Sequence, residues 1–213
     1  MTIISIDGAS AVGKTTTSSK LAMNYGGYWI PEVNALWKSP EPMYPEWFFE
    51  KQVERWTIAQ RKSSSYPFIV IDIDLFQPLW YNWVFDFTLF GGQSLEFVTE
   101  FYRKQLLNRT IGFPDKYFVL YTDEVELRKR KNGDNTRRRS GFEMNLRMIE
   151  PQKRYFNALR SLNPDLVCFI ESDNTEMIVE KIIGTLPSTP CQHTFSVELF
   201  DFIVNWLGST RAT

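Results

Sequence analysis

Residues 8–15 read Gly-Ala-Ser-Ala-Val-Gly-Lys-Thr and directly follow the apolar run Ile3-Ile4-Ser5-Ile6 and Asp7. The stretch matches the pattern G-x-x-x-x-G-K-[ST] of a phosphate-binding loop, which lies between a strand and a helix. Glycines let the backbone point its N–H groups at an anion, and the following helix adds the positive end of its dipole. The sequence therefore predicts a nucleotide-binding loop after the first strand.

Two side chains of this loop have distinct chemical roles. Lys14 is placed to reach the β- and γ-phosphates of a bound nucleotide, and the Thr15 hydroxyl is placed to bind Mg²⁺. We therefore expect ATP and Mg²⁺ as cofactors, although no motif distinguishes ATP from GTP. The predicted nucleotide-binding residues are Gly8, Ala11, Val12, Gly13, Lys14, Thr15 and Thr16.

The composition is that of a globular protein with a sizeable core. Of the 213 residues, 43% are hydrophobic and 23% are charged, and the net charge is −1. This balance provides no basic field for nucleic acid, so we expect a small-molecule partner instead. Two cysteines and one histidine suggest neither a disulfide framework nor a His-based metal site. With no signal peptide or long apolar run recognised, we expect a cytoplasmic protein that does not bind membranes.

Short apolar runs alternate with helical patterns, which is typical of an α/β fold with a parallel sheet covered on both faces. The predicted strands are 2–7, 28–30, 68–71, 117–121 and 166–170. The predicted helices are 15–24, 45–62, part of 75–90, 94–108, 124–131, 142–161 and 174–184. We expect one domain over residues 1–185. Residues 186–213 read as a linker and an amphipathic helix that either docks back or forms a partner or homodimer surface.

Carboxylates follow two of the predicted strands. Asp72 ends the run Phe68–Ile71, where an acid faces the ligand crevice and can bind Mg²⁺. Asp74 lies on the same face if the strand continues, or else caps the next helix. Glu32 follows the second strand, where it can accept a proton from a substrate hydroxyl, unless it is an ordinary surface residue. Trp37 is placed to form a wall for an organic acceptor.

Arginines cluster around a loop that begins at residue 132. Guanidinium groups stabilise the charge that spreads over a transferring phosphoryl group, and Gly133 and Gly141 can act as hinges. We therefore predict a lid over about 128–143, although such a cluster is also compatible with a solvated or nucleic-acid-binding patch. The arginines favoured for phosphate contact are Arg128, Arg137 and Arg139.

Residues 80–87 contain more aromatic side chains than one helix face can bury. Some of them are therefore expected to line an acceptor pocket, and the rest to pack in the core. The candidates for the pocket wall are Trp80 in this stretch and Phe48, Gln52 and Trp56 on the preceding helix.

The order of these parts over residues 1–185 resembles the nucleoside and nucleotide kinase branch of the P-loop NTPases. That branch includes deoxynucleoside kinases, thymidylate kinases and chloramphenicol phosphotransferase-like enzymes. Residues 31–37 resemble the deoxynucleoside kinase segment Glu-Pro-Val-x-x-Trp, and the resemblance implies that Glu32 is the catalytic base. It further implies a base-reading role for Gln52, a sugar contact for Glu143, and a three-layer fold with a five-stranded parallel sheet and an Arg-rich lid.

One departure from that family bears on the acceptor. Deoxynucleoside and thymidylate kinases carry an arginine after the third strand, whereas this chain reads Asp72-Ile73-Asp74. A carboxylate-rich site repels a phosphate but suits a hydroxyl, including that of a cationic drug-like acceptor. The expected activity is transfer of the γ-phosphate to the hydroxyl of a nucleoside-like or drug-like molecule. The alternatives are a nucleoside monophosphate kinase and an NTP-hydrolysing switch that acts on a macromolecule.

Overall fold

The computed structural model describes residues 2–89, 93–134, 141–188 and 193–211. Within these ranges the chain forms one five-stranded sheet in the order β2-β3-β1-β4-β5, and every neighbouring pair is parallel. The strands are β1 (Thr2–Gly8), β2 (Tyr28–Ile30), β3 (Phe68–Asp72), β4 (Lys116–Tyr121) and β5 (Val167–Glu171). The prediction of an α/β fold with a five-stranded parallel sheet is confirmed.

Ten helices are described. They are α1 (Lys14–Tyr25), α2 (Val33–Leu36), α3 (Trp47–Lys62), α4 (Gln77–Val84), α5 (Leu95–Leu107), α6 (Glu124–Gly133), α7 (Phe142–Leu146), α8 (Ile149–Leu162), α9 (Thr175–Gly184) and α10 (Val197–Ser209). No helix in the described ranges combines the length and hydropathy that a bilayer crossing requires.

The sheet lies between two helical layers because its strands are apolar on both faces. On one face, Ile4, Ile6 and their neighbours pack against α1, α6 and α9. On the other face, Ile3, Ile69 and Val119 pack against α3, α4, α5, α8 and α10. Alternate residues of a strand point to opposite faces, so strands buried on both sides read as continuous apolar runs. The predicted three-layer arrangement follows directly from these runs.

The single helix predicted over 142–161 is wrong, because α7 ends at Leu146 and α8 begins at Ile149. Pro151 is the third residue of α8. Proline has no N–H to donate and clashes with the carbonyl four residues earlier, so it is tolerated only in the first turn of a helix. A continuous helix through this position would place the proline in its interior, and the break avoids that clash.

The C-terminal helix α10 docks back onto the chain. Its apolar residues, including Phe200 and Ile203, belong to the larger core cluster. The Trp206 ring lies 5.0 Å from the Trp83 ring, and the Trp83 indole N–H donates to the Thr210 carbonyl at 3.0 Å. Of the two arrangements expected for this segment, the structure shows the helix docked back on its own chain. It covers the side of the core that α5 and α8 form.

Candidate active site

The predicted phosphate-binding loop joins β1 to α1 with an unusual backbone. Gly8 has φ +131°, Ala11 +69° and Gly13 +105°, all in the left-handed region that disfavours most side chains. A Cβ atom on Gly8 would lie 2.2 Å from the Leu120 carbonyl oxygen, so β4 leaves no room for a side chain there. The glycine at position 8 is thus required both by the turn and by the adjacent strand.

The loop surrounds a cleft of about 550 Å³. All seven predicted nucleotide-binding residues line it: Gly8, Ala11, Val12, Gly13, Lys14, Thr15 and Thr16. The Lys14 ammonium donates to the Gly8 and Ala9 carbonyls, each at 2.9 Å, and so spans the loop. Because α1 begins at Lys14, its free N–H groups and positive dipole end face the same space. This geometry suits the phosphates of a nucleotide.

Thr15 and Asp72 form a candidate Mg²⁺ site beside the loop. The Thr15 hydroxyl donates to Asp72 Oδ2 at 3.0 Å, while Asp72 Oδ1 is buried without a hydrogen-bond partner among the described residues. Burial raises the pKa of Asp72, and the nearby Lys14 ammonium lowers it in part. A buried carboxylate oxygen without a donor, next to a hydroxyl, is the hard oxygen chemistry that Mg²⁺ prefers. The residues present therefore fit the ion.

Glu32 lies between the nucleotide cleft and a second, smaller cavity. It precedes α2, directly after β2 and Pro31, and it lines both spaces together with Gln77. Because β2 and β3 are parallel neighbours, their C-terminal ends bring Glu32 and Asp72 to the same edge of the sheet. This is the position from which a carboxylate can reach a hydroxyl that faces the phosphates.

The arginines of the predicted lid divide between two places. Arg128 is exposed and pairs with Glu124 and Glu143 on the surface, and it does not line the nucleotide cleft. Arg130 does line the cleft, and its guanidinium donates to the Val12 carbonyl at 3.3 Å. The geometry thus favours Arg130 over Arg128 as the phosphate-facing arginine, which reverses the choice made from the sequence.

Ser172 holds Arg130 in that position. The Ser172 hydroxyl accepts from the Arg130 guanidinium at 2.9 Å and donates to the Val12 carbonyl at 2.5 Å. The main-chain carbonyl of Ser172 also accepts from the Arg130 guanidinium. Ser172 was not predicted from the sequence, although it is a polar residue that follows the last strand, β5, at the same edge of the sheet. The other two predicted lid arginines, Arg137 and Arg139, lie outside the described residues.

The smaller cavity, of about 180 Å³, is a candidate acceptor pocket. Aromatic and amide side chains form much of its wall, together with Glu32. Its lining includes Phe48, Gln52, Arg55, Tyr81, Asn82 and Gln93. The Asn82 amide donates to Gln93 Oε1 at 2.8 Å, and Asn82 Oδ1 is buried without a partner in the described part of the chain. Flat apolar walls with amide groups at their edge suit a planar polar ligand.

The other predicted acceptor residues are placed differently from Gln52. Trp56 is 1% exposed and packs edge-on against Phe195, so it belongs to the core and lines neither cavity. Trp80 is also buried but does line the nucleotide cleft. Trp37 is half-buried outside both cavities, with the Lys51 ammonium over its ring, and Glu143 is engaged with Arg128 on the surface.

Asp74 is built into the core beneath the site. It accepts hydrogen bonds from the Phe76 N–H, the Tyr117 hydroxyl and the Trp80 indole, and its own N–H donates to Asp7. Burial raises the pKa of Asp74, and the pKa of Asp7 is raised by burial as well. Asp74 lines neither cavity. Its carboxylate accepts from the Phe76 N–H before α4 begins, but the N-cap of that helix is Phe76 and no side chain caps it, so Asp74 is not the helix cap that was considered as an alternative.

Arg55, like Ser172, was not predicted from the sequence. Its side chain is fully buried and lies in the pocket wall beside Gln52. Both residues belong to the buried stripe of α3, which also contains Phe49, Trp56 and Ala59. Two polar residues three apart within an otherwise apolar stripe are the signal that would have identified them, because polar groups are seldom buried without a function or a partner.

No protein-family model and no curated protein matches the sequence, whereas solved structures do. A thymidylate kinase from Candida albicans matches with a TM-score of 0.56 and 14% identity, over 86% of this chain and 89% of that one. A deoxyadenosine kinase from M. mycoides with bound dATP matches with a TM-score of 0.54 and 16% identity, over 86% of this chain and 98% of that one. The resemblance to P-loop nucleoside and nucleotide kinases is thereby confirmed at the level of the fold.

Proposed function

We propose that this chain, which has the fold of the P-loop nucleoside and nucleotide kinases, transfers the γ-phosphate of ATP to a hydroxyl of a small acceptor. The position of Glu32 carries the proposal. One carboxylate lines both the cleft around the phosphate-binding loop and the adjoining pocket of aromatic and amide groups. A base at the junction of two cavities is placed to take the proton of a hydroxyl that attacks a phosphate.

The remaining roles follow from the contacts of the cleft. Loop amides and Lys14 bind the β- and γ-phosphates, and Arg130 donates to the oxygens of the transferring group. Thr15 and Asp72 hold Mg²⁺, which neutralises phosphate charge when bound. Glu32 accepts the proton of the acceptor hydroxyl while the new O–P bond forms and ADP departs. Catalysis then rests on position and charge, as phosphoryl transfer requires.

The acceptor is proposed to be nucleoside-like or drug-like, bound in the smaller pocket. The deoxyadenosine kinase of similar fold supports a nucleoside, and the pocket of Phe48, Tyr81 and amide groups supports a planar ring with polar edges. The thymidylate kinase of similar fold keeps a monophosphate acceptor as a second candidate. The protein is further proposed to act in the cytoplasm.

The test is Mg²⁺- and ATP-dependent release of ADP in the presence of nucleosides, nucleoside monophosphates and hydroxyl-bearing antibiotics. We expect a hydroxyl acceptor to stimulate release, Lys14→Ala to abolish it, and Glu32→Gln to slow it about 10²–10⁴-fold while ATP binding is retained. Glu100→Gln, at an exposed position of α5, is the matched control. Steady release without any acceptor effect would instead indicate an NTP-hydrolysing switch, and full activity of Glu32→Gln would refute its role as base.

A further inference from the structure

The acceptor pocket contains a buried cation that the scheme above does not use. Arg55 Nη1 donates to Gln52 Oε1 at 2.6 Å, and Nη2 donates to the carbonyl oxygen of Asp72. The Nε atom is buried and has no hydrogen-bond partner in the ranges described. A buried donor left unpaired destabilises a protein, so a hydrogen-bond acceptor atom of a ligand at this position would relieve that cost.

Arg55 keeps its charge despite complete burial. Burial lowers its pKa to about 10, and the carboxylates of Asp72, Asp7, Glu32 and Asp74 oppose that shift in this order. The guanidinium is therefore protonated at neutral pH. A buried charge is retained in a fold when it is paired or when it serves a ligand.

We infer that Arg55 is the arginine of the acceptor site and donates a hydrogen bond to the acceptor beside Glu32. The inference rests on the proposed function and deepens it. The Asp72 carbonyl that Arg55 contacts is the last of β3. The residues that follow that strand, Ile73 and Asp74, supply no guanidinium. Helix α3 thus brings a cation to a strand end where the sequence provides none locally.

The presence of Arg55 and Glu32 in the same pocket wall also bears on the charge of the acceptor. Among the described residues that line the pocket, Glu32 is the one acid and Arg55 the one base, so their charges cancel. The rest of the wall, such as Asn82 and Gln93, is uncharged. A neutral acceptor fits a lining without net charge, whereas Glu32 repels a phosphate dianion and Arg55 repels a polycation. The structure therefore favours a neutral hydroxyl compound over a nucleoside monophosphate or an aminoglycoside.

The experiment compares Arg55→Met, Arg55→Lys and Arg61→Met in the full chain. Arg61 lies on the same helix but is exposed, which makes it the matched control. Acceptor-dependent ADP release is measured with deoxyadenosine, deoxyadenosine monophosphate and an aminoglycoside at saturating ATP. We expect Arg55→Met to lower kcat/KM for the acceptor about 10- to 100-fold, as for loss of a hydrogen bond to a charged group, with KM for ATP unchanged. Arg55→Lys retains the charge and is expected to lose less, and Arg61→Met is expected to match the wild type.

Each further outcome decides against a specific claim. Unchanged acceptor kinetics in a folded Arg55→Lys or Arg55→Met protein overturns the role of Arg55 and leaves the kinase function intact. Equal losses in KM for ATP and for the acceptor indicate a purely structural residue and overturn it as well. If Arg55→Met does not fold, the acceptor KM of Arg55→Lys decides. A preference of the wild type for the monophosphate or the aminoglycoside overturns the charge argument. Absence of any acceptor effect in the wild type overturns the proposed function, and this inference with it.

Discussion

Replacing Arg130 with methionine tests which arginine of α6 serves the phosphates, because Arg128 on the same helix provides a matched substitution. The Arg130 guanidinium binds the Val12 and Ser172 carbonyls and the Ser172 hydroxyl, and its side chain lines the nucleotide cleft. Arg130 also pairs with Glu126, which lines the cleft, whereas Arg128 pairs with exposed acids outside it. Methionine keeps the length of the alkyl chain and removes only the charged donors.

The expected magnitude follows from these contacts. Removing a fixed donor that faces a transferring phosphoryl group lowers kcat by about 10²–10³-fold. The same change removes the hydrogen bonds from the guanidinium to the Val12 carbonyl and to the Ser172 hydroxyl, and a hydrogen bond to a charged group contributes about 1.5–3 kcal/mol. Since Arg130 is partly exposed, we expect the unfolding free energy to fall by about the lower of these values. Arg128→Met loses only exposed ion pairs, so kcat is expected to change little.

The assay is acceptor-stimulated ADP release at saturating ATP and Mg²⁺, with urea unfolding of each variant in parallel. The Ser172→Ala variant provides a second check, because it keeps the guanidinium and removes one of its anchors. It is expected to fall between the wild type and Arg130→Met. The reasoning is refuted if Arg128→Met loses as much kcat as Arg130→Met, since the cleft would then be served by the surface arginine.

Two further predictions concern the backbone and the buried acids. Gly13→Ala is expected to lower the unfolding free energy by about 1–3 kcal/mol through strain at φ +105° alone, and Gly8→Ala by more, because its Cβ also meets the Leu120 carbonyl. Equal costs in urea unfolding would contradict this. Burial raises the pKa of Asp74 above 3.8, so the native state holds a proton that the unfolded chain releases. This stabilisation is present below about pH 4 and is lost as pH rises through the native pKa of Asp74. The unfolding free energy of the wild type should therefore fall toward neutral pH, and Asp74→Asn should make that fall shallower. An equally steep fall in the variant would contradict the prediction.

The strands and the phosphate loop were predictable from sequence because local patterns determine them. A run such as Phe68–Ile71 has few alternatives to a strand buried on both faces, and the spacing of Gly8, Gly13 and Lys14 specifies a loop without tertiary information. The break before α8 was also encoded locally, in Pro151. The break was not predicted, because the apolar periodicity of the sequence continues from one side of it to the other.

The acceptor side depended on packing, which sequence patterns do not report. Trp56 and Arg55 are neighbours on α3, and both are buried, yet one contributes to the core and the other to the pocket wall. Which of them faces a cavity depends on the rotation of α3 against β3 and α5, and so on contacts between distant segments. The aromatic content predicted that some aromatic side chains would line a pocket and others would pack in the core. It did not predict which side chains would do which.

The central position of β1 has a consequence for synthesis of the chain. This strand precedes the other four strands of the sheet in the chain, yet it pairs with β3 and with β4, and the Ile3 N–H bonds to Asp115, 112 residues later. Ribosomes add about 5–20 residues per second, so the first strand waits several seconds for its last partner. Both edges of β1 are unpaired until β3 has been made, and one edge stays unpaired until β4 follows, which exposes the strand to association with other nascent chains. Folding yield should therefore respond to the elongation rate over residues 9–121, with slow translation there increasing the demand for chaperones.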